Sequence, residues 1–205
     1  MAKKLKKLMY ACLVVVALVL ILGAAAFAGM NQMGKVAVHV KAHGTSCGQG
    51  YPTFTKCTQI VFTWPSTGDV DVIPVVYELY AYTEIKLTLW WPPEWGTMSW
   101  VRCKGDASVG TFHNPYDYVD IHWTACQPGW SVAPGYGWLH AATPGMVCPL
   151  HPCAAVDCAP PPGPYTDWLC AGSCCGIGGM VGDDPCRGAS ATGQSTWGQI
   201  KAMFK

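Results

Sequence analysis

Between residues 35 and 148 apolar and polar positions alternate in short runs. In "KVAVHV" (35–40) Val36, Val38 and Val40 fall on one side and Lys35, Ala37 and His39 on the other. In "EIKLTLWW" (84–91) Ile85, Leu87, Leu89 and Trp91 oppose Lys86, Thr88 and Trp90. A period of two is the pattern of a strand with one buried face. "TQIVFTW" (58–64), "VVYELYAY" (75–82), "MSWVRC" (98–103), "YVDIHW" (118–123) and "GWLHAA" (137–142) are rich in β-branched and aromatic residues. Gly, Pro, Asn or Asp bounds each run, as strand ends require. No run here keeps a helical period over ten residues. The spacing predicts an all-β domain over 29–148, an antiparallel β-sandwich, with a barrel as second choice. Pro74, inside "VDVIPVV", predicts an edge, a bulge or a break between two strands.

After Cys148 the alternation fades. Residues 149–187 are rich in Cys, Gly and Pro, and "APPPGP" (159–164) predicts extended polyproline backbone. Such a stretch buries little apolar surface, so cross-links must supply its order, which predicts a disulfide-braced nub appended to the sandwich. "GASATGQS" (188–195) reads as a flexible linker. In the last segment, 196–205, Thr196 and Gln199 fit a capping box. Trp197, Ile200 and Phe204 share one face of a short amphipathic helix. So short a helix is stable only when docked, on its own domain or on a partner.

The N-terminus fixes the compartment expected. Lys3, Lys4, Lys6 and Lys7 precede an apolar run from Ala11 to Ala28 that ends in Ala26-Phe27-Ala28. This is the pattern of an export signal, residues 1–28, cleaved after Ala28. Uncleaved, the run would tie the chain to a membrane, the one membrane role expected. The 177 residues after Ala28 carry 9 basic and 12 acidic side chains, a net charge of −3 with His neutral. No basic stripe remains, so nucleic acid is not an expected partner. The expected location is secreted, periplasmic or at the cell surface.

Eleven cysteines follow the leader: Cys47, Cys57, Cys103, Cys126, Cys148, Cys153, Cys158, Cys170, Cys174, Cys175 and Cys186. Outside the cytoplasm thiols oxidise, so all eleven are disulfide candidates, although an odd number leaves at least one over. Cys47 with Cys57, and Cys103 with Cys126, are the pairs the strand pattern suggests. Vicinal Cys174 and Cys175 are too close for a relaxed mutual bond and should reach different partners. Metal is not favoured, and no cofactor is expected. The weaker alternative is a zinc or redox site built from Cys148, His151, Cys153 and Cys158, whose soft ligands lack paired CxxC knuckles. His39 and His43 do not converge if they lie on a strand.

Catalytic signatures are lacking. G-x-S-x-G does not occur, and "GIGGMVG" (176–182) has no Lys-Ser/Thr. Glu78, Glu84, Glu94, Asp117 and Asp120 lie near strand ends, where turns commonly carry acids; a glycosidase pair among them is the remote enzymatic option. "WWPPEW" gathers Trp90, Trp91 and Trp95, which either pack a core or stack on sugar rings.

"LTLWWPPEWG", "VRC", "IHWTACQPG", "PGYGWLHAATPGMVCPLHP" and "TWGQIKAMFK" together resemble a pattern in exported cysteine- and tryptophan-rich proteins of environmental bacteria. The resemblance covers roughly residues 75–151 and the last ten, and it brings no catalytic residues. At fold level the strand pair and Pro-containing turn are similar to cohesin-like or carbohydrate-binding sandwiches. The function expected is that of a non-enzymatic exported structural or interaction protein, with a protein or polysaccharide partner at the cell surface. A glycan-binding module using Trp90, Trp91 or Trp95, and a metal or redox domain, are the alternatives.

Overall fold

The computed structural model describes residues 29, 31, 33–48, 50–158 and 165–184, the side chains of Cys170 and Ala171 excepted. The leader, the polyproline stretch, the linker and the helix with Trp197, Ile200 and Phe204 lie outside the described residues. The strands are β1 (Lys35–Ala42), β2 (Thr63–Trp64), β3 (Gly68–Tyr77), β4 (Ala81–Trp90), β5 (Ser99–Arg102), β6 (Ala107–Gly110) and β7 (Tyr118–Pro128). They continue with β8 (Ser131–Val132), β9 (Gly135–Ala141), β10 (Gly145–Asp157), β11 (Thr166–Trp168), β12 (Cys170–Ser173) and β13 (Cys175–Ile177).

Two sheets result. The first runs β12-β1-β3-β9-β5 with β8 beside β3, and the second runs β2-β13-β10-β4-β7-β6 with β11 beside β10. Both are mixed, because β12 joins β1 and β13 joins β2 in parallel. The wholly antiparallel expectation is corrected at these two pairs. Both parallel partners come from the segment after Cys148, which returns to both sheets.

The alternation decides what is buried between them. Val36, Val38, Val70 and Val72 of the first sheet share one apolar cluster with Ile85, Leu87, Val119 and Ile121 of the second. Each such side chain contributes about 1.5–3 kcal/mol by leaving water. The outer face of the first sheet is covered as well. Tyr51, Phe54 and Ile60, from the connection between β1 and β2, pack on Ala37, Ile73, Val75 and Tyr77. Ala37 and His39 are therefore buried, not solvent-facing as a half-buried strand predicts.

Pro74 sits inside β3, which is continuous through it. On one flank it faces Val38 of β1. On the other, β9 pairs only as far as Val72 and β8 begins at Val76. The residue without an N–H thus occupies the gap between two partner strands, where no ladder bond is lost.

The composition change at Cys148 is not a structural boundary. β10 runs straight through it, with β13 on one side and β4 on the other. Its buried members include Val147, Cys148, Cys153 and Ala155, so cysteine and alanine take places that valine and leucine fill elsewhere. The described part of 149–187 is woven into the two sheets.

Among the described residues three disulfides are present: Cys47–Cys103, Cys126–Cys158 and Cys148–Cys174; Cys186 and the Cys170 side chain lie outside them. The expected pairs Cys47–Cys57 and Cys103–Cys126 are not formed. Cys47, in the covering connection, lies beside Cys103 just past β5, with Cα atoms 5.1 Å apart. Cys126, far along β7, meets Cys158 at the end of β10. Cys57, Cys153 and Cys175 keep free thiols, so these three candidates are not bridged. Of the vicinal pair, Cys174 alone is bonded. Each bridge spans 26 to 56 residues, which removes about 3–4 kcal/mol of unfolded-chain entropy. Three bridges favour an oxidising compartment outside the cytoplasm. Among the described residues no helix is long and apolar enough to cross a membrane.

Candidate functional site

On the outer face of the second sheet, β4 and β7 set four ionisable side chains in a square. Glu84 stands opposite His122 and Lys86 opposite Asp120. Residues two apart on a strand point the same way, so all four share the face turned away from Ile85, Leu87 and Ile121. Lys86 Nζ lies 3.2 Å from Asp120 Oδ2. His122 reaches Glu84 Oε2 with Nδ1 at 3.4 Å and Asp120 Oδ1 with Nε2 at 3.5 Å. One ligand atom each from Glu84, Asp120 and His122 can be chosen so that all lie within 4.8 Å of one another.

Burial, and then the neighbouring Asp120 carboxylate, push the Glu84 carboxyl above its ordinary range. Lys86 is pushed up by its hydrogen bond to Asp120 and by that carboxylate's charge. Asp120 is only 8% exposed, and its buried Oδ1 has no hydrogen-bond partner.

The same register carries the face outward in rows. Lys86 pairs across with Ala154 of β10, and Ala154 with Trp168 of β11. Thr88 pairs with Tyr118 on one side and Leu150 on the other. Trp168 is 56% exposed and Tyr118 48%. The exposed His151 ring lies 5.3 Å from the Trp168 ring. It is carried there by an irregularity in β10: Leu150 faces Thr88 and Ala154 faces Lys86, so β10 has two more residues than β4 over that interval. The Thr88 hydroxyl donates to the Pro152 carbonyl at 3.2 Å and anchors this protrusion. Trp168 and Tyr118 stand three strand spacings apart, about 14 Å across the sheet.

The expected tryptophan platform is corrected. Trp91 is fully buried and Trp95 is 4% exposed, both in the inter-sheet core. Their indole N–H groups donate to the Gly96 carbonyl and the Thr143 hydroxyl. The Pro turn between them folds Trp95 back under the sheet end. Trp90 alone faces outward, half-buried opposite Cys148. The soft-ligand set Cys148, His151, Cys153 and Cys158 is corrected too. Cys148 and Cys158 are consumed in disulfides, Cys153 is buried and His151 is exposed.

The remaining candidates are dispersed. Glu78 pairs with Lys35. Asp117 accepts the His113 and Asn114 N–H groups in a turn. Glu94 lies in the 3-10 turn Pro93–Trp95. His43 bonds the buried Asp71, which also accepts the N–H groups of Gly44 and Thr45. His39 accepts the Val61 N–H on Nδ1, so His39 and His43 serve two unrelated contacts. Burial raises the thiols of Cys153 to about 11 and Cys175 to about 12, which suits packing and not nucleophilic chemistry.

In the sequence Glu84 and Asp120 stand only as turn acids or members of a remote glycosidase pair, and no motif singles out His122. The signal that joins them was available: "YTEIK" and "YVDIHW" place the charges at alternate positions of two strands. What was missing was which strands pair, and in what register. Comparison with protein-family models, curated proteins and solved structures finds no match to this chain.

Proposed function

We propose that this protein is an exported, disulfide-braced binding module, and that its ligand is a saccharide chain laid across the outer face of the second sheet. The supporting observation is the asymmetry of the two outer faces. One is sealed by Tyr51, Phe54 and Ile60. The other presents exposed Trp168 and Tyr118 on either side of Glu84, Lys86, Asp120 and His122. Sugar rings offer C–H faces that stack on aromatic rings and hydroxyls that bond carboxylate, ammonium and imidazole groups. The width of the face suits an extended chain better than a single ring. The test is affinity electrophoresis of the exported protein through gels containing soluble polysaccharides. Retardation by at least one is expected, with Trp168→Ala weakening it about tenfold or more. Equal mobility in every gel would defeat the reading.

A second reading rests on the buried Asp120 Oδ1, which accepts no hydrogen bond and has the His122 ring 3.5 Å away. One imidazole nitrogen and two carboxylates suit a divalent cation of the zinc or manganese type, with Lys86 orienting Asp120 from its other oxygen. Equilibrium dialysis with zinc should load one ion per chain, and Asp120→Asn should abolish it. No uptake at micromolar zinc would eliminate this reading.

A further inference from the structure

Away from that face, Asp167 of β11 is 6% exposed and turned toward the core side, opposite Ala155 of β10. Its carboxylate receives the N–H of Asn31 at 2.8 Å and the N–H of Gly29. Asp157, fully buried, bears on it electrostatically. Among the described residues no lysine, arginine or histidine side chain pairs with Asp167, and burial, its largest influence, holds its carboxyl above the ordinary range. The Asp167 carboxylate, so little exposed, gains from a positive charge beside it.

The chain at Gly29 is held firmly in position. Asn31, fully buried, donates its side-chain N–H to the Ala81 carbonyl at 2.8 Å and accepts the Tyr80 N–H at 2.8 Å. Its own carbonyl accepts the Gly34 N–H at 2.8 Å. A Cβ placed on Gly29 would overlap the Asp167 carboxylate, so only glycine lets the backbone nitrogen come this close. Gly29 is also the residue that follows Ala26-Phe27-Ala28 at the end of the apolar leader.

We infer that the chain is cut between Ala28 and Gly29 and that the α-ammonium so created seats on Asp167, locking the mature N-terminus into the edge of the second sheet. The inference rests on the export reading of the leader and goes beyond the binding face. Hydrolysis adds one water across the Ala28–Gly29 amide, leaving a carboxylate on Ala28 and, with the proton, an ammonium on Gly29. The peptide N–H that already points at Asp167 becomes a cation with three donors. A partial charge gives way to a full one beside a carboxylate that is only 6% exposed. Processing thereby tightens the fold, since among the described residues the uncut chain offers Asp167 only the neutral amides of Gly29 and Asn31.

The test uses the full chain exported by a bacterial host. Intact mass and N-terminal sequencing should give Gly29 as the first residue. A variant with one alanine inserted between Ala28 and Gly29, processed to begin one residue earlier, moves the ammonium about 3.8 Å away. Its unfolding midpoint should fall by about 5 °C or more. In the Asp167→Asn background the insertion should have no further effect. Should Asp167→Asn not fold, acylation of the native protein decides the matter: the Gly29 amine should react at least tenfold more slowly than the α-amine of the inserted alanine in the insertion variant. A mature chain beginning elsewhere would overturn the processing step. A chain beginning at Gly29, with equal midpoints for both forms and a freely reactive amine, would overturn the docking alone.

Discussion

His39 shows how one ring can be fixed by its surroundings. Its Nδ1 accepts the Val61 N–H, and its face lies edge-on to Phe54 at 5.0 Å between centroids. Burial, then the nearby Lys41 charge, lower it from 6.5 to about 4. The unfolded chain therefore binds a proton that the folded chain refuses between those two pH values. Stability should be constant above about pH 6.5 and should decline by up to about 3 kcal/mol as pH falls to about 4. Urea unfolding at pH 7 and pH 4.5 measures this, and His39→Gln should flatten the dependence by most of that amount. Cys153 and Cys175 make a second residue-scale case. Their thiols are buried, with Cys153 Sγ directed at the Leu150 carbonyl at 3.1 Å. Alkylation of the native protein should leave both unmodified, while denaturant should make both reactive; peptide mass mapping distinguishes the two states. Composition suggests that such cysteines should be bridged, because compartment sets whether sulfur oxidises but only position sets whether a second sulfur is near.

At the scale of elements, β10 carries the clearest lesson. Proline and cysteine interrupt its sequence, and its alternation slips where His151 and Pro152 protrude, so sequence reading ends the β domain at Cys148. In the fold β10 is the strand between β4 and β13. Ending the chain after Cys148 would expose the β4 edge and remove both Cys174 and Cys158 as disulfide partners. Such a truncation should give a chain without a cooperative thermal transition, whereas a separable sandwich would retain one; calorimetry separates the outcomes. β4 and β7, by contrast, are legible to within a few residues, because "EIKLTLWW" and "YVDIHW" alternate without a break. Even there the pairing is silent in sequence, and with it the meeting of Glu84, Lys86, Asp120 and His122.

For the molecule as a whole, the two outer faces differ because one connection is long and apolar enough to act as a lid. The connection after β1 brings Tyr51, Phe54 and Ile60 over the first sheet, and Cys47–Cys103 pins it there. The second sheet has no such cover among the described residues, so charge and aromatic surface remain exposed together on it. Trp168 belongs to that surface yet stands alone in sequence, far from the tryptophan cluster that attracts attention. The cluster is dense because Trp91 and Trp95 plug the core end of a Pro turn; the exposed ring is isolated because it rides on a three-residue strand.

The sequence by itself determined that this is a β protein, since period-two alternation needs no knowledge of the partner strand, and its leader and cysteines raised the expectation of an oxidising compartment that the three bridges favour. It also determined which faces of β4 and β7 are buried, a local consequence of the pleat. Only the tertiary structure decided the disulfide partners, the burial of Trp91 and Trp95, the charged square and the contact of Gly29 with Asp167. Those depend on which distant strands lie side by side, a choice made by the shared core and by chain closure, which no short window of residues contains.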